Sequence, residues 1–143
     1  SYMITNQELD SEKIKEETMY LVNFTHDQAR FTGASDLLIN ADISYKKKWH
    51  NNKNLLMATL SYSYFSDRIY AIGTNSRGNI IEKPFNSLDI TLKAEWDKLS
   101  FSLSFKNLLN QAIQVYQANE NQDVIVLSYK KGVISAFKIG YRF

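Results

Sequence analysis

The chain has 143 residues, 44% of them hydrophobic, with 17 basic and 15 acidic side chains and no cysteine. Charges so nearly balanced give no basic surface for nucleic acid, and the lack of cysteine excludes a disulfide framework and thiolate metal sites. No stretch approaches the roughly 18 consecutive apolar residues of a membrane helix, whereas a membrane β-barrel, with only moderately apolar strands, passes the same filter.

The chain opens on SYMITNQELD, with neither an initiator methionine nor a basic-then-apolar leader. More chain is therefore expected upstream. SYMITNQEL reads as the end of a strand. DSEKIKEET is charged and has some helical periodicity around Ile14. Residues 10–35 are expected to form a long loop with a turn of helix.

Alternation then takes over. The first strand is expected near 37–49, where Ile39, Ala41, Ile43, Tyr45 and Trp49 oppose Asn40, Asp42, Ser44, Lys46 and Lys48. The second is expected as one run near 54–71, with Leu56, Ala58, Leu60, Tyr62 and Tyr64 against Thr59, Ser61 and Ser63. A third is expected near 87–96, with Leu88, Ile90, Leu92, Ala94 and Trp96 against Asp89, Thr91, Lys93 and Glu95. A fourth is expected near 99–109, with Leu99, Phe101, Leu103, Phe105 and Leu109 against Ser100, Ser102, Ser104 and Lys106. The last is expected near 131–143, with Val133, Phe137, Ile139, Tyr141 and Phe143 against Lys138 and Arg142. Each run has about the 9–11 residues that a tilted strand needs to cross a bilayer.

The connections alternate in length. HNNKN and DK are short, whereas roughly 72–86 and 110–131 read as long loops. Outer-membrane barrels combine short periplasmic turns with long extracellular loops in this way. With the short turns periplasmic, Trp49, Trp96, Tyr141 and Phe143 fall at one membrane edge and form a lipid-facing aromatic girdle. Five or six strands cannot close such a barrel, since single-chain forms start at about 8. The expected fold is thus all-β: an antiparallel up-and-down transmembrane barrel larger than this chain, which supplies five to six of its strands. A soluble, secreted β-sandwich binding module is the bland alternative, because its strands alternate too.

No catalytic constellation is evident, and no enzyme activity, metal or cofactor is expected. His26 and His50 read as solvated loop histidines. Asp89 and Glu95 share the inward parity, but six residues of strand separate them by about 20 Å, too far for a glycosidase pair. Lys46 and Lys48 point inward, and Lys47 outward, where its stem can snorkel. Arg68 reads as a structural charge, paired with Asp67 or with a neighbouring strand.

Several stretches carry a family likeness. FTGASDLLINADISY, through Gly33, Ser35, Ile39, Asn40 and Tyr45, resembles a late-barrel segment of TonB-dependent outer-membrane receptors of the Bacteroidetes type. SDRIYAIG, through Asp67, Arg68, Ile69 and Gly73, resembles the element one hairpin later. IIEKPFNSLDITL, through Glu82, Pro84, Leu88 and Asp89, resembles the next, and KNLLN, with Asn107, the penultimate-strand motif. The terminal Phe143 matches the C-terminal aromatic read by the barrel-assembly machinery. The likeness covers about residues 31–143.

The resemblance implies a barrel of about 22 strands with an N-terminal plug, placed in the bacterial outer membrane with its C-terminus periplasmic. It implies import of a nutrient ligand with energy from the inner-membrane TonB system. The implied partners are outer-membrane lipid, the remainder of the barrel and its plug, periplasmic TonB and, in some members, an extracellular lipoprotein. Ligand contacts would lie in 72–86 and 111–129, with Tyr116, Gln117 and Asn119 as loop candidates. The other reading of such a barrel is a scaffold or docking platform for partner proteins.

Overall fold

The alternating stretches form antiparallel strands, and the computed structural model describes residues 1–18, 24, 28–50, 53–74, 77–119 and 122–143. In chain order the elements are β1 (Gln7–Glu8), α1 (Ser11–Thr18), β2 (Gln28–Ala29), β3 (Leu38–Trp49), β4 (Asn54–Phe65), β5 (Arg68–Ala71), β6 (Ile80–Glu82), β7 (Phe85–Trp96), β8 (Leu99–Lys106), β9 (Ile113–Gln117), β10 (Val124–Tyr129) and β11 (Ile134–Tyr141). Among the described residues the fold is all-β and antiparallel apart from one short helix. Asp10 caps that helix, its carboxylate accepting the Glu12 and Lys13 N–H groups at 3.0 Å each. None of the sheets closes on itself.

The described residues divide into two compact units, between which the chain passes repeatedly. The second comprises Ile39–Tyr64, Asn86–Gln111 and Lys130–Phe143 and is built on a five-stranded sheet in the order β11-β8-β7-β4-β3. Its register keeps the two chemical faces apart. Ile90, Leu92, Ala94 and Trp96 pair with Phe105, Leu103, Phe101 and Leu99. Phe137, Ile139 and Tyr141 pair with Leu103, Phe101 and Leu99 from the other side. On the opposite face Thr91, Lys93 and Glu95 pair with Ser104, Ser102 and Ser100. Ser44 and Thr59 add a hydroxyl–hydroxyl bond of 3.0 Å between β3 and β4. A one-residue slip of any strand would exchange these faces.

The hairpin turns of this unit use residues that tolerate positive φ. His50 (56°) opens the β3–β4 turn, and Asp97 (51°) makes the two-residue β7–β8 turn. Asn54, buried at 5% exposure, accepts the Asp97 N–H at 3.2 Å and ties the two turns together.

The first unit comprises Ser1–Leu38, Phe65–Phe85 and Ala112–Tyr129. It holds the β1–β2 pair, α1 and a four-stranded sheet in the order β10-β9-β6-β5. Its buried side chains, among the described residues, include Ile69, Ile113, Val115 and Glu82. The Phe65 and Phe85 rings stack at 4.6 Å. Residues 1–3 run antiparallel to 36–38: Met3 N–H donates to Asp36 O at 2.8 Å, Leu38 N–H donates to Ser1 O at 2.9 Å, and Tyr2 bridges Leu37. SYM therefore pairs as a strand would.

Three expectations are corrected. The run 54–71 is not one strand: it breaks at Ser66–Asp67 into β4 and β5, because Ser66 bonds backward to Leu37 through both its N–H and its hydroxyl. The strand expected to 109 ends at Lys106, because Asn107 and Asn110 turn the chain at φ 58° and 43°. The long loops at 72–86 and 110–131 instead contain β6, β9, β10 and the start of β7. Pro84, which lacks an N–H, lies in the gap between β6 and β7. Residues 10–35 hold the eight-residue α1 and the short β2.

Gly73 is buried, and its N–H donates to the Asn79 side chain at 2.8 Å. A methyl group there would overlap the backbone of Arg77 and Gly78. Gly73→Ala is expected to cost about 1–3 kcal/mol, and hydrogen exchange should show faster amide exchange across Ile80–Glu82.

Candidate functional site

The motif residues gather into two polar knots, each within one unit. In the first unit Arg68 and Glu82 face each other across β5–β6. The guanidinium forks onto the carboxylate, Nε to Oε2 at 3.0 Å and Nη2 to Oε1 and Oε2 at 3.1 and 2.9 Å. The Glu82 side chain is only 8% exposed, and this partner satisfies its buried oxygens. Gly33, at φ 76°, donates its N–H to Ile69 O at 2.8 Å, and its carbonyl accepts from Arg68 Nη1 at 3.5 Å. A residue with a Cβ would be strained at that φ. Ser35 donates its hydroxyl to Ser66 O at 3.0 Å.

Asp67 points to a different partner. Arg30 bridges Asp67 and Asp36, at 2.8 and 2.5 Å. Its bonds to Asp67, then to Asp36, push the guanidinium pKa above its ordinary value. The sequence reading named Asp67 and a neighbouring strand as alternative partners of Arg68. The partner is Glu82 on the neighbouring strand, while Asp67 takes Arg30. Arg30 and Asp36 were not singled out beforehand, since a charge in a long loop gives no signal of what it will meet.

The second knot lies in the other unit. One Asp89 carboxylate oxygen accepts the Asn107 N–H at 2.9 Å and the Ser87 hydroxyl at 3.1 Å. Asn107 in turn donates its side-chain amide to Gly132 O at 2.7 Å, and Leu108 N–H donates to Leu88 O at 2.8 Å. KNLLN thus works as a turn bolted to β7 and to the segment leading into β11. Glu95 pairs along its own strand, with Lys93 at 2.6 Å, rather than across the sheet. Asn40 is exposed on the polar side of β3.

The four edge aromatics belong to the second unit, on the turn side of its sheet. Trp49 and Trp96 meet edge to face at 6.3 Å, and Tyr141 and Phe143 at 5.2 Å. Trp96 and Tyr141 flank Leu99 in register, which sets them at one level of the sheet. All four are exposed, Trp96 at 65%. Around the Trp49–Trp96 pair lies an open cavity of about 500 Å³, lined also by His50, Lys53, Asn54 and Asp97.

Two of the three loop candidates lie on a strand. Tyr116 and Gln117 are on β9, and only Asn119 follows it. Tyr116 is half-buried with the Lys83 ammonium 5.5 Å from its ring centre. Gln117 donates to Gly78 O at 3.3 Å. Among the described residues no group of His, Asp and Glu is arranged to hold a metal. His50 is exposed in its turn, and His26 lies outside the described residues. Both knots bond backbone groups or an opposite charge of the same unit, which is the geometry of bracing.

Two measurements probe the first unit. Arg68→Ala leaves Glu82 buried and unpaired and is expected to destabilise by roughly 2 kcal/mol, less than a fully buried pair because a third of Arg68 is solvated. Adding Glu82→Leu should recover most of that loss in a double-mutant denaturation cycle. Burial, with Asp123 adding to it, pushes the Tyr116 phenol above its ordinary pKa. A raised native pKa gives stability that is present below the unfolded value, about 10, and lost as pH rises through the native one. Stability should fall in that alkaline range, and Tyr116→Phe should flatten the fall in the same denaturation assay.

No family model, curated protein or solved structure matches this chain.

Proposed function

We propose that this chain is the C-terminal wall of an outer-membrane barrel of the TonB-dependent receptor type, which imports a nutrient ligand with energy delivered through periplasmic TonB. One observation carries the membrane part of the reading: the five-stranded sheet presents a register-matched apolar face that its own unit leaves uncovered. Leu92, Trp96, Leu99, Phe101, Phe137, Ile139 and Tyr141 are all exposed, Phe137 and Ile139 at 61% and 62%. Full burial of such a side chain is worth about 1.5–3 kcal/mol. Seven of them half-exposed to water would forgo on the order of 7 kcal/mol, comparable to the whole net stability of an ordinary domain. A soluble sandwich would cover this face with a second sheet, and the described residues of the second unit form a single sheet. Lipid covers it without one.

The resemblance supplies the transporter part. The stretches that carry it hold the residues of both knots: Gly33, Asp67, Arg68 and Glu82 in one, Asp89 and Asn107 in the other. Bracing of this kind suits a wall whose strands run on into structured extracellular segments. By this reading His50, Lys53, Asp97, Lys98 and Phe143 lie on the periplasmic side. The strand-bearing segments 66–84 and 111–129 lie outside the cell and supply ligand contacts together with parts of the barrel and plug upstream.

The test is lipid contact at Trp96. The intact protein that carries this chain is reconstituted in vesicles containing lipids brominated near the headgroup. The Trp96→Phe variant should lose a fluorescence component that these lipids quench. A protein that stays monodisperse in buffer without detergent, with Trp96 emission unaffected by brominated lipid, would overturn the reading.

A further inference from the structure

We infer that the cavity around Trp49 and Trp96 binds the zwitterionic headgroup of a phosphoethanolamine lipid. The inference rests on the membrane reading above, which sets this edge at the lipid–water boundary. The cavity lies within the second unit and is formed by its two turns. Its chemistry has two halves. The indoles of Trp49 and Trp96 stand at 86° to each other with ring centres 6.3 Å apart, so their faces make a right-angled corner. A primary ammonium is attracted to an indole face, more strongly once partly desolvated. Asp97 lines the same cavity and supplies the opposite charge. Lys53 and His50 line it as well and offer donors to a phosphate.

The site is held in shape by the backbone. Asn54, almost wholly buried, accepts the Asp97 N–H at 3.2 Å. Lys53 N–H donates to His50 O at 3.1 Å, closing the other turn. The volume of about 500 Å³ admits a headgroup with its glycerol. The apolar face that begins at Trp96 and Leu99 continues as a path for the acyl chains. A lysine, an aspartate and two indoles lining one cavity beside an apolar row of the sheet match a zwitterionic lipid. They do not match an anionic glycerol headgroup, which would meet Asp97 with no ammonium to offer.

The experiment is native mass spectrometry of the intact, detergent-solubilised protein with equal amounts of phosphatidylethanolamine and phosphatidylglycerol. The expected result is selective retention of the ethanolamine lipid. Lys53→Glu and Trp96→Ala should each reduce that selectivity about tenfold, while Lys53→Arg keeps it. Lys53 is exposed, and heat-modifiable migration on gels checks that each variant is folded. Soluble glycerophosphoethanolamine should not compete, because the acyl chains contribute to binding; full competition would assign the site to a free phosphoester and overturn the lipid proposal. Equal retention of both lipids, or a folded Lys53→Glu protein with unchanged selectivity, would also overturn it. The membrane reading would then still stand, provided brominated lipid quenches Trp96.

Discussion

In the five-stranded sheet Leu103 stands between Leu92 and Phe137, and one residue away Ser102 stands between Lys93 and Lys138. The rest of the molecule depends on this pairing. A strand's side chains alternate with period two, so three strands can keep an apolar row and a polar row apart only in one register. Backbone hydrogen bonds alone do not choose that register, since a ladder shifted by a residue has similar bonds. The choice is made by the mismatch a slip creates, with Lys138 pushed among Leu103 and Phe101 and their partners stranded beside serine. Serine at alternate positions of β8 also matters, because small hydroxyls leave room for the lysines and glutamate beside them.

Register in turn has to be held at the ends of the strands, where ladders fray. The polar knots do this. Asp89 captures the backbone N–H of Asn107 at the point where β8 stops, so the turn cannot migrate along the strand. Arg68 and Glu82 lock β5 to β6 with a planar fork that only one alignment satisfies. A lysine would keep the charge but lose the fork. The buried carboxylate makes this lock strict: any other register would strand Glu82 without a cation. Arg68, Glu82, Asp89 and Asn107 thus fix strand ends.

The turn edge of the second unit shows how one set of residues serves packing and the surroundings together. Trp49 and Trp96 support each other edge to face, yet stay exposed. Amphipathic rings suit a boundary where one end is apolar and the other wet. The same corner, with Asp97 and Lys53 beside it, is neither apolar nor uniformly charged. That mixed character separates it from the row of Leu92, Leu103 and Phe137 on the sheet face.

Much of this could be read from the chain alone. Alternation located all five long strands, because period two over ten residues is a local signal that needs no tertiary knowledge. The parity of Trp96 and Tyr141 put them on the face of Leu99, and the short DK turn placed Leu99 next to Trp96. Tertiary structure decided what depends on distant partners. The break at Ser66 is invisible in the alternating run because it follows from bonds to Leu37, 29 residues away. The strands β6, β9 and β10 are short and pair only with one another or with β5, so their sequences read as loop until the partners are known. Arg30 shows the same limit: its composition announces a surface charge, and only the fold brings Asp36 and Asp67 to its two nitrogens. Period and parity are properties of neighbours in the chain. A capped turn, a forked ion pair or a bridging arginine is a property of residues that the chain keeps apart and folding brings together.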